Sequence, residues 1–325
     1  MASTTGTPAR GRHSLPAKER MTPTHRGEKG RAGTGRLRRT LTGWGFAFPF
    51  AVLFLLFTAG PVLASLVMSF TDIRSADLRD PLAVELEGFG NYTRLFSDEL
   101  FLRSSLNTAI FVVIGVPLTM AAALAVAVGL NAGVTKFRTM FRVGYYLPVV
   151  TSIVAIAVVW RFLLQPDTGL LNNLLRLVGI DGPNWLNDTK LALPSLIVMA
   201  TWRNLGFGMV IFLAGLQAIP QDLYEAGRID GAGRWSQFRY ITLPVLRPTL
   251  LFVAVITTIG YVQFFEEPFV MTQGGPLDST LSLAYHTYNQ FGFGNYGYAS
   301  AMSYVLFLVV VLLSIVWFRL LRANT

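Results

Sequence analysis

An all-α protein that crosses a membrane several times is what this sequence predicts, and three observations carry that reading. Of its 325 residues, 52% are hydrophobic and only 14% are charged, whereas soluble domains carry about a quarter charged residues. The apolar residues gather into six long runs, each near the roughly 20 residues that an α-helix needs to cross the hydrocarbon layer. The linkers between the runs differ in charge from one side to the other, as loops on opposite faces of a membrane do.

The chain opens on a basic stretch, residues 1–40, in which ten of the 27 Lys and Arg fall before Thr40. Gly, Thr and Pro separate them, there is no apolar period, and the stretch reads as a disordered tail. It does not read as a secretory signal, because the first apolar run begins only at Trp44 and is too long. Its expected role is to hold the N-terminus in the cytoplasm beside anionic lipid. Residues 41–325 read as one six-span domain.

The first run, about 44–70, is uncharged, with Pro49 and Gly60-Pro61 expected to kink it. The second covers about 105–131. The third, about 143–164, holds Arg161 near one end, and the fourth, about 193–217, holds Arg203 inside it. The fifth, about 247–270, carries Glu266 and Glu267 near its end; Pro268 is expected to break it there and Gly274-Gly275-Pro276 to end it. The sixth, about 298–319, closes on Arg319 and Arg322.

Loop 131–142 holds Lys136, Arg138 and Arg142 and no acid, and loop 218–247 holds Arg228, Arg234, Arg239 and Arg247. Segment 71–104 has four basic and seven acidic residues, and 273–297 has no Lys or Arg. The positive-inside rule therefore places both termini and the 218–247 loop in the cytoplasm.

With no cysteine, disulfides, thiol catalysis, iron–sulfur clusters and Cys-ligated zinc are excluded. His13, His25 and His286 are scattered and form no metal-ligating group. The net charge of +9 is concentrated in the tail, which argues against a nucleic-acid surface.

Charged residues within spans usually face protein or water, because lipid exposure costs about 2.5–3.5 kcal/mol on insertion scales. Arg161 is close enough to a helix end to snorkel. Arg203, in "TWRNLGFGMV", faces either a polar cavity together with Asn204 or the outer interface with Trp202 as a belt residue. In the fifth run, Thr257, Tyr261, Phe264 and Glu267 recur at four, three and three residues, and so share one helical face. Aromatic rings beside hydroxyl and carboxylate groups suit a sugar, with flat rings under its C–H face and polar groups for its hydroxyls. The same pattern also fits ordinary helix packing with the two glutamates at the water interface.

Between the fourth and fifth runs, "QDLYEAGRID" is long enough for two or three helical turns. Asp222 and Glu225 suit the positive end of its dipole and Arg228 the negative end. Leu223, Ala226, Gly227 and Asp230 fall at i, i+3, i+4 and i+7 and make a small face. A helix lying on lipid would instead carry bulky apolar residues opposite Lys and Arg, so the pattern favours docking into a protein cleft. Gly231 and Gly233 let the chain turn into a second short helix, "WSQFRYI".

Glu225-Ala226-Gly227, Asp230-Gly231-Ala232, Phe238, Ile241, Leu243-Pro244 and Pro248 resemble the EAA loop of ABC-importer permeases. Gly227 departs from that loop, which usually has a second Ala there. "GFGNYTRLF" at 88–96 with Asn107-Thr108, "LAGLQAIP" at 213–220 and "VMTQGGP" at 270–276 are similar to the MalF/UgpA-like carbohydrate permeases.

The resemblance implies a heterodimer with a second permease subunit, a cytoplasmic ATP-binding subunit dimer whose cleft receives the coupling helix, and an extracellular solute-binding protein. The coupling positions it implies are Leu223, Glu225, Ala226, Gly227, Asp230 and Gly231, within a loop at 220–245. Glu225 is implied to pair with an Arg of the cleft or of the permease's own scaffold. The implied substrate positions are Arg203, Asn204, Phe207, Thr257, Tyr261, Gln263, Phe264 and Glu267. No Gly-x-x-x-x-Gly-Lys-[Ser/Thr] motif occurs, so ATP is expected to bind the partner subunit and this chain to need no cofactor. A glycerol phosphate or polyol importer is the alternative within this class. A secondary transporter would predict an inverted repeat, and an intramembrane enzyme a catalytic constellation at membrane depth; neither is seen.

Overall fold

The computed structural model describes residues 44–79, 84–132 and 138–321. The basic tail at 1–40, Lys136 and Arg322 lie outside these residues. Among the described residues all regular elements are helical, apart from one isolated bridge between Thr71 and Leu86. The chain divides into two units after Gly60.

Helix α1 (Trp44–Met68) is long and apolar enough to cross a membrane. Pro49 falls close to its start and the helix continues through it. Leu55–Ala59 takes the π form, and the Gly60 N–H bonds Leu55 O. Pro61 has no N–H to offer, and a widened turn just before a proline is one way to absorb that loss. The short α2 (Gly90–Leu95) follows, and then α3 (Glu99–Ala132), the longest helix.

The third run is not one helix. It folds as α4 (Arg138–Val150) and α5 (Ile153–Leu163), bent by 99°. Pro148 removes one N–H from the ladder. Thr151 Oγ1 donates to Leu147 O at 2.8 Å, and Ser152 is extended at ψ 126°. After α6 (Leu170–Leu177) comes α7 (Ala192–Gln217), close to the expected fourth run.

Next are α8 (Gln221–Ile229), α9 (Arg234–Val245) and α10 (Arg247–Val262), the last two bent by 68°. The fifth run breaks at Gln263–Phe265, not at Pro268. Pro268 sits in the first turn of α11 (Glu266–Met271), where a missing N–H leaves no bond unmade. The break is held by rings: Phe264 stacks on Phe111 at 3.8 Å, and Phe265 packs edge-on against Tyr285 at 5.6 Å. The chain ends in α12 (Leu283–Gly292) and α13 (Tyr296–Leu321). Helices α1, α3, α7 and α13 each pass as spans, and counting the two bent pairs as one span each gives six.

Small residues set the core. On α3, Phe111, Gly115, Thr119, Ala123 and Ala127 recur every four residues and all are buried. They face α7 so closely that a Cβ on Gly208 would lie 2.9 Å from that of Ala123. Close approach of small residues is how helices gain contact where lipid leaves no hydrophobic drive. Helix α4 crosses α7 at Gly206, where a Cβ would stand 2.0 Å from Tyr145 O.

At the start of α3, Asp98 accepts from the N–H groups of Leu100 and Phe101 at 2.9 and 3.3 Å and from the Tyr298 hydroxyl at 2.6 Å. The buried His286 Nε2 lies 3.9 Å from the same carboxylate, and the Arg94 guanidinium sits 4.7 Å above the Tyr298 ring. Burial pushes the imidazole below its ordinary value, against the opposing pull of Asp98 and Asp278. Burial alone would raise the Asp98 carboxyl, but the bonds from Tyr298, Phe101 and Leu100 together hold it below its usual range.

A Gly206→Val chain is expected to lose at least about 1–3 kcal/mol, because the clashing atom is backbone and cannot rotate away. A lowered thermal midpoint in detergent checks this, with Gly129→Ala, at a site with nothing within 4 Å, as the unaffected control. Acidification should also destabilise the chain. The unfolded imidazole takes up a proton below its ordinary value of 6.5, whereas the folded one resists it, so stability present above that pH is lost as pH falls. Asp98 adds a loss in the same direction at more acid pH. Unfolding midpoints of His286→Gln should vary less than wild type between neutrality and about pH 5.

Candidate functional site

A cavity of about 270 Å³ opens beside the middle of α7. Helix α7 contributes Arg203, Asn204 and Phe207, and α10 contributes Ile256, Thr257, Gly260 and Tyr261. The break after α10 supplies Phe264, α11 supplies Glu266 and Glu267, and α5 supplies Ile153. Seven of the eight residues expected at a substrate site therefore line one cavity. From the sequence, Arg203 was expected inside the fourth run and the two glutamates near the end of the fifth. In the fold Arg203 is at mid-helix, and the turn at Gln263–Phe265 brings the glutamates into the same cavity.

Thr257 and Tyr261 share a helical face as expected, but Phe264 and Glu267 do not continue it, because α10 stops at Val262. They reach the cavity through the break. Gln263, at the C-cap with φ −99°, is exposed and is absent from the lining. Ile153, Ile256, Gly260 and Glu266 line the cavity without having been among the expected positions. Gly260 adjoins the Thr257–Tyr261 stripe and was legible from it, but Ile153 arrives only through the bend between α4 and α5.

The rings are fixed before any ligand binds. The Tyr261 hydroxyl shares a 2.7 Å hydrogen bond with Thr119 Oγ1, which in turn donates to Thr201 at 3.2 Å. Its ring lies against Gly115, where a Cβ would fall 2.7 Å away, and 5.1 Å from Phe111. The polar groups are less satisfied. Arg203 donates only a long 3.4 Å bond to Asn204 Oδ1, and Asn204 Nδ2 donates to Ala200 O at 2.9 Å. Arg203 Nε and Glu267 Oε2 are buried and without a partner. A buried polar atom left unpaired costs about 1–3 kcal/mol, and more when charged. The arrangement thus suits a ligand that brings both donors and acceptors and one apolar face.

The segment after α7 forms a separate surface. Helix α8 ends in a Schellman motif: Gly231 takes φ +78°, its N–H bonds Arg228 O at 3.1 Å, and the Ala232 N–H bonds Gly227 O at 2.8 Å. Only glycine adopts that backbone readily. The Tyr224 hydroxyl shares a 2.9 Å bond with Thr242 Oγ1, and Gln237 Nε2 donates to Ala232 O at 2.8 Å. These bonds clamp α8 onto α9.

Leu223, Glu225, Ala226 and Asp230 are exposed, but Gly227 is not part of an open docking face. It packs on α9, and a Cβ there would meet the end of the Ile241 side chain at 3.0 Å. Glu225 faces Arg228 at 4.0 Å, one turn away and in water. Ile229 and Trp235, 87% and 72% exposed, are the apolar side chains the sequence reading missed here.

Residues 101–324 match the family described as binding-protein-dependent transport system inner membrane component, and the chain belongs to that family. It is 37% identical over 288 residues to the lactose transport system permease protein LacF of Rhizobium radiobacter, covering 87% of this chain and 94% of that one. It is 33% identical over 284 residues to the arabinooligosaccharides transport system permease protein AraP of Bacillus subtilis, covering 85% and 87%. Its fold is that of a chain in the crystal structure of a bacterial alginate ABC transporter in complex with an alginate pentasaccharide-bound periplasmic protein. That likeness has a TM-score of 0.76 at 24% identity and covers 90% of this chain and 98% of that one. This chain is thus a multi-pass inner-membrane transport component and not an enzyme.

Removing the Tyr261 hydroxyl should leave Thr119 without its shared bond at the back of the cavity. Tyr261→Phe is expected to cost about 0.5–1.5 kcal/mol, read as a lower thermal midpoint.

Proposed function

We propose that this chain forms the translocation path for a sugar or oligosaccharide in an ATP-driven importer, and that α8 couples it to a separate ATP-binding subunit. The observation that carries the solute class is the mid-depth cavity, with Phe207, Tyr261 and Phe264 on its walls and Arg203, Asn204, Thr257 and Glu267 among them. Rings take the C–H face of a sugar, and mixed donors and acceptors take its hydroxyls. The relatives named for lactose and arabinooligosaccharides support the same class. A phosphate ester would call for several cations; the cavity offers one guanidinium beside two carboxylates.

For coupling, Leu223, Glu225, Ala226, Asp230 and the exposed Ile229 form a projecting knob, clamped to α9 by the Tyr224–Thr242 bond so that it moves as one body with the start of α10. The basic loops put this knob and both termini in the cytoplasm. A second permease subunit completes the path, and an extracellular binding protein delivers the solute. Neither partner nor ATP needs a site of its own in the mid-depth cavity.

The test is uptake by vesicles holding the complete importer with its binding protein, scanned over lactose, arabinotriose and glycerol phosphate. A saccharide should be accumulated only with ATP, and Phe207→Ala should raise its KM. Accumulation of glycerol phosphate alone would overturn the sugar reading. Glu225→Ala should insert normally yet lower uptake by about tenfold or more, the equivalent of about 1.4 kcal/mol. Wild-type uptake by that variant would remove Glu225 from the coupling surface.

A further inference from the structure

We propose that the chain holds a second saccharide subsite, in a polar-rimmed cleft at the far ends of α5 and α11 from the mid-depth cavity. The proposal rests on the sugar reading above and extends the path beyond the site already described. Helices α5 and α11 pack side by side. Their first residues, Ile153, Glu266 and Glu267, line the mid-depth cavity. Their last turns and the residues just after them, with Arg161, Leu164, Met271 and Thr272, line a cleft of about 440 Å³. The loop before α7 forms its opposite wall through Asn184, Leu186 and Asn187, so the cleft lies at the end of α7 away from the α8–α9 knob. Small-molecule pockets span about 300–1,000 Å³. The cleft falls inside that range and the mid-depth cavity, at about 270 Å³, just below it. In this conformation the roomier chamber is therefore the cleft.

Its chemistry matches a sugar ring. Leu164, Leu186 and Met271 are buried and make an apolar floor. Around them stand Arg161, Asp167, Asn184, Asn187 and Gln273. Among the described residues, none of these five side chains takes part in a hydrogen bond or ion pair, so their polar atoms are available. One guanidinium, one carboxylate and three amides carry no net charge, which favours a neutral polyhydroxylated ring over a phosphate or an acidic peptide.

The walls are built rather than loose. The fully buried Asn172 donates Nδ2 to Pro166 O at 2.9 Å and to Pro183 O at 3.2 Å, while its Oδ1 accepts from Trp185 Nε1 at 2.7 Å. Arg176 adds bonds to Asp167 O at 3.0 Å and Pro166 O at 3.1 Å. The loops on either side of α6 are thereby bolted to each other through the carbonyls of Pro166, Asp167 and Pro183, and the rim side chains are left over. Gln273 completes the rim from a left-handed backbone, φ 52°, a conformation that non-glycine residues hold mainly where the surroundings enforce it.

The chain has no cysteine, which allows single thiols to report on each site. In the complete importer without its binding protein, Asn187→Cys reports on the cleft and Thr257→Cys on the mid-depth cavity, each by its rate of maleimide labelling. The probes are lactose and arabinotriose. Slower labelling of Asn187→Cys in the presence of either saccharide is the expected result, whether or not Thr257→Cys is also protected. Protection of Thr257→Cys alone overturns the cleft subsite and leaves the sugar reading standing. Protection at neither position by either saccharide overturns both. Protection of Asn187→Cys by the saccharide-free binding protein, and not by saccharide, overturns the subsite and assigns the cleft to protein docking. In vesicles, Asn187→Leu should raise the KM for the transported saccharide about tenfold with kcat retained, the signature of lost ground-state binding, and Asn187→Gln should recover it. An unchanged KM for Asn187→Leu counts against the subsite.

Discussion

The close crossing of α3 and α7 is the constraint on which the rest of this molecule depends. In lipid there is no water to squeeze out between helices, so contact comes from small residues that let backbones approach. The stripe from Gly115 through Thr119 and Ala123 to Ala127 provides that approach, and Gly208 answers it. One helix turn along, the same stripe builds the back of the cavity beside α7. Gly115 makes room for the Tyr261 ring, Thr119 holds its hydroxyl, and Phe111 carries Phe264. Packing and the shape of the cavity are thus written on one face of one helix.

The two places where helices break serve the same end. Non-helical backbone and charged groups are tolerable at membrane depth only where protein or a cavity receives them. The bend between α4 and α5 and the break between α10 and α11 flank the cavity that holds Arg203, Glu266 and Glu267. Without the break after α10, Glu266 and Glu267 would be carried along a straight helix away from Arg203. With it, a guanidinium and a carboxylate sit near one another at mid-depth and remain partly unsatisfied. Short, separately hinged helices such as α5 and α11 are also the elements whose position can change without dismantling the α3–α7 core.

In the proposed coupling role, the α8–α9 knob would have to pass a force. A helix of nine residues is marginal alone, and this one is held by a glycine C-cap and by side-chain bonds to the helix that leads directly into α10. Gly227 lets the two helices touch. Rigidity between knob and span is what a coupling element needs, and it comes from local geometry rather than from burial of a large core.

Much of this was legible in the sequence by itself. Apolar length, charge asymmetry and the Glu225-to-Pro248 pattern determined the class, the bounds of the first, fourth and sixth runs to within a few residues and the position of the projecting helix, because partition into lipid and glycine capping depend on local composition. Arg203 and Tyr261 stood out because polar and aromatic residues in apolar runs need a reason to be there, and Phe207 came only from the family resemblance. What only the tertiary structure decided was direction and depth: the 99° bend before Ile153, the break at Gln263–Phe265 that turns Gln263 outward and Glu267 inward, and the cleft bolted by Asn172. Those features rest on contacts between residues far apart in the chain, such as Phe111 with Phe264, and no periodicity within a single run encodes which distant ring will be there to meet it.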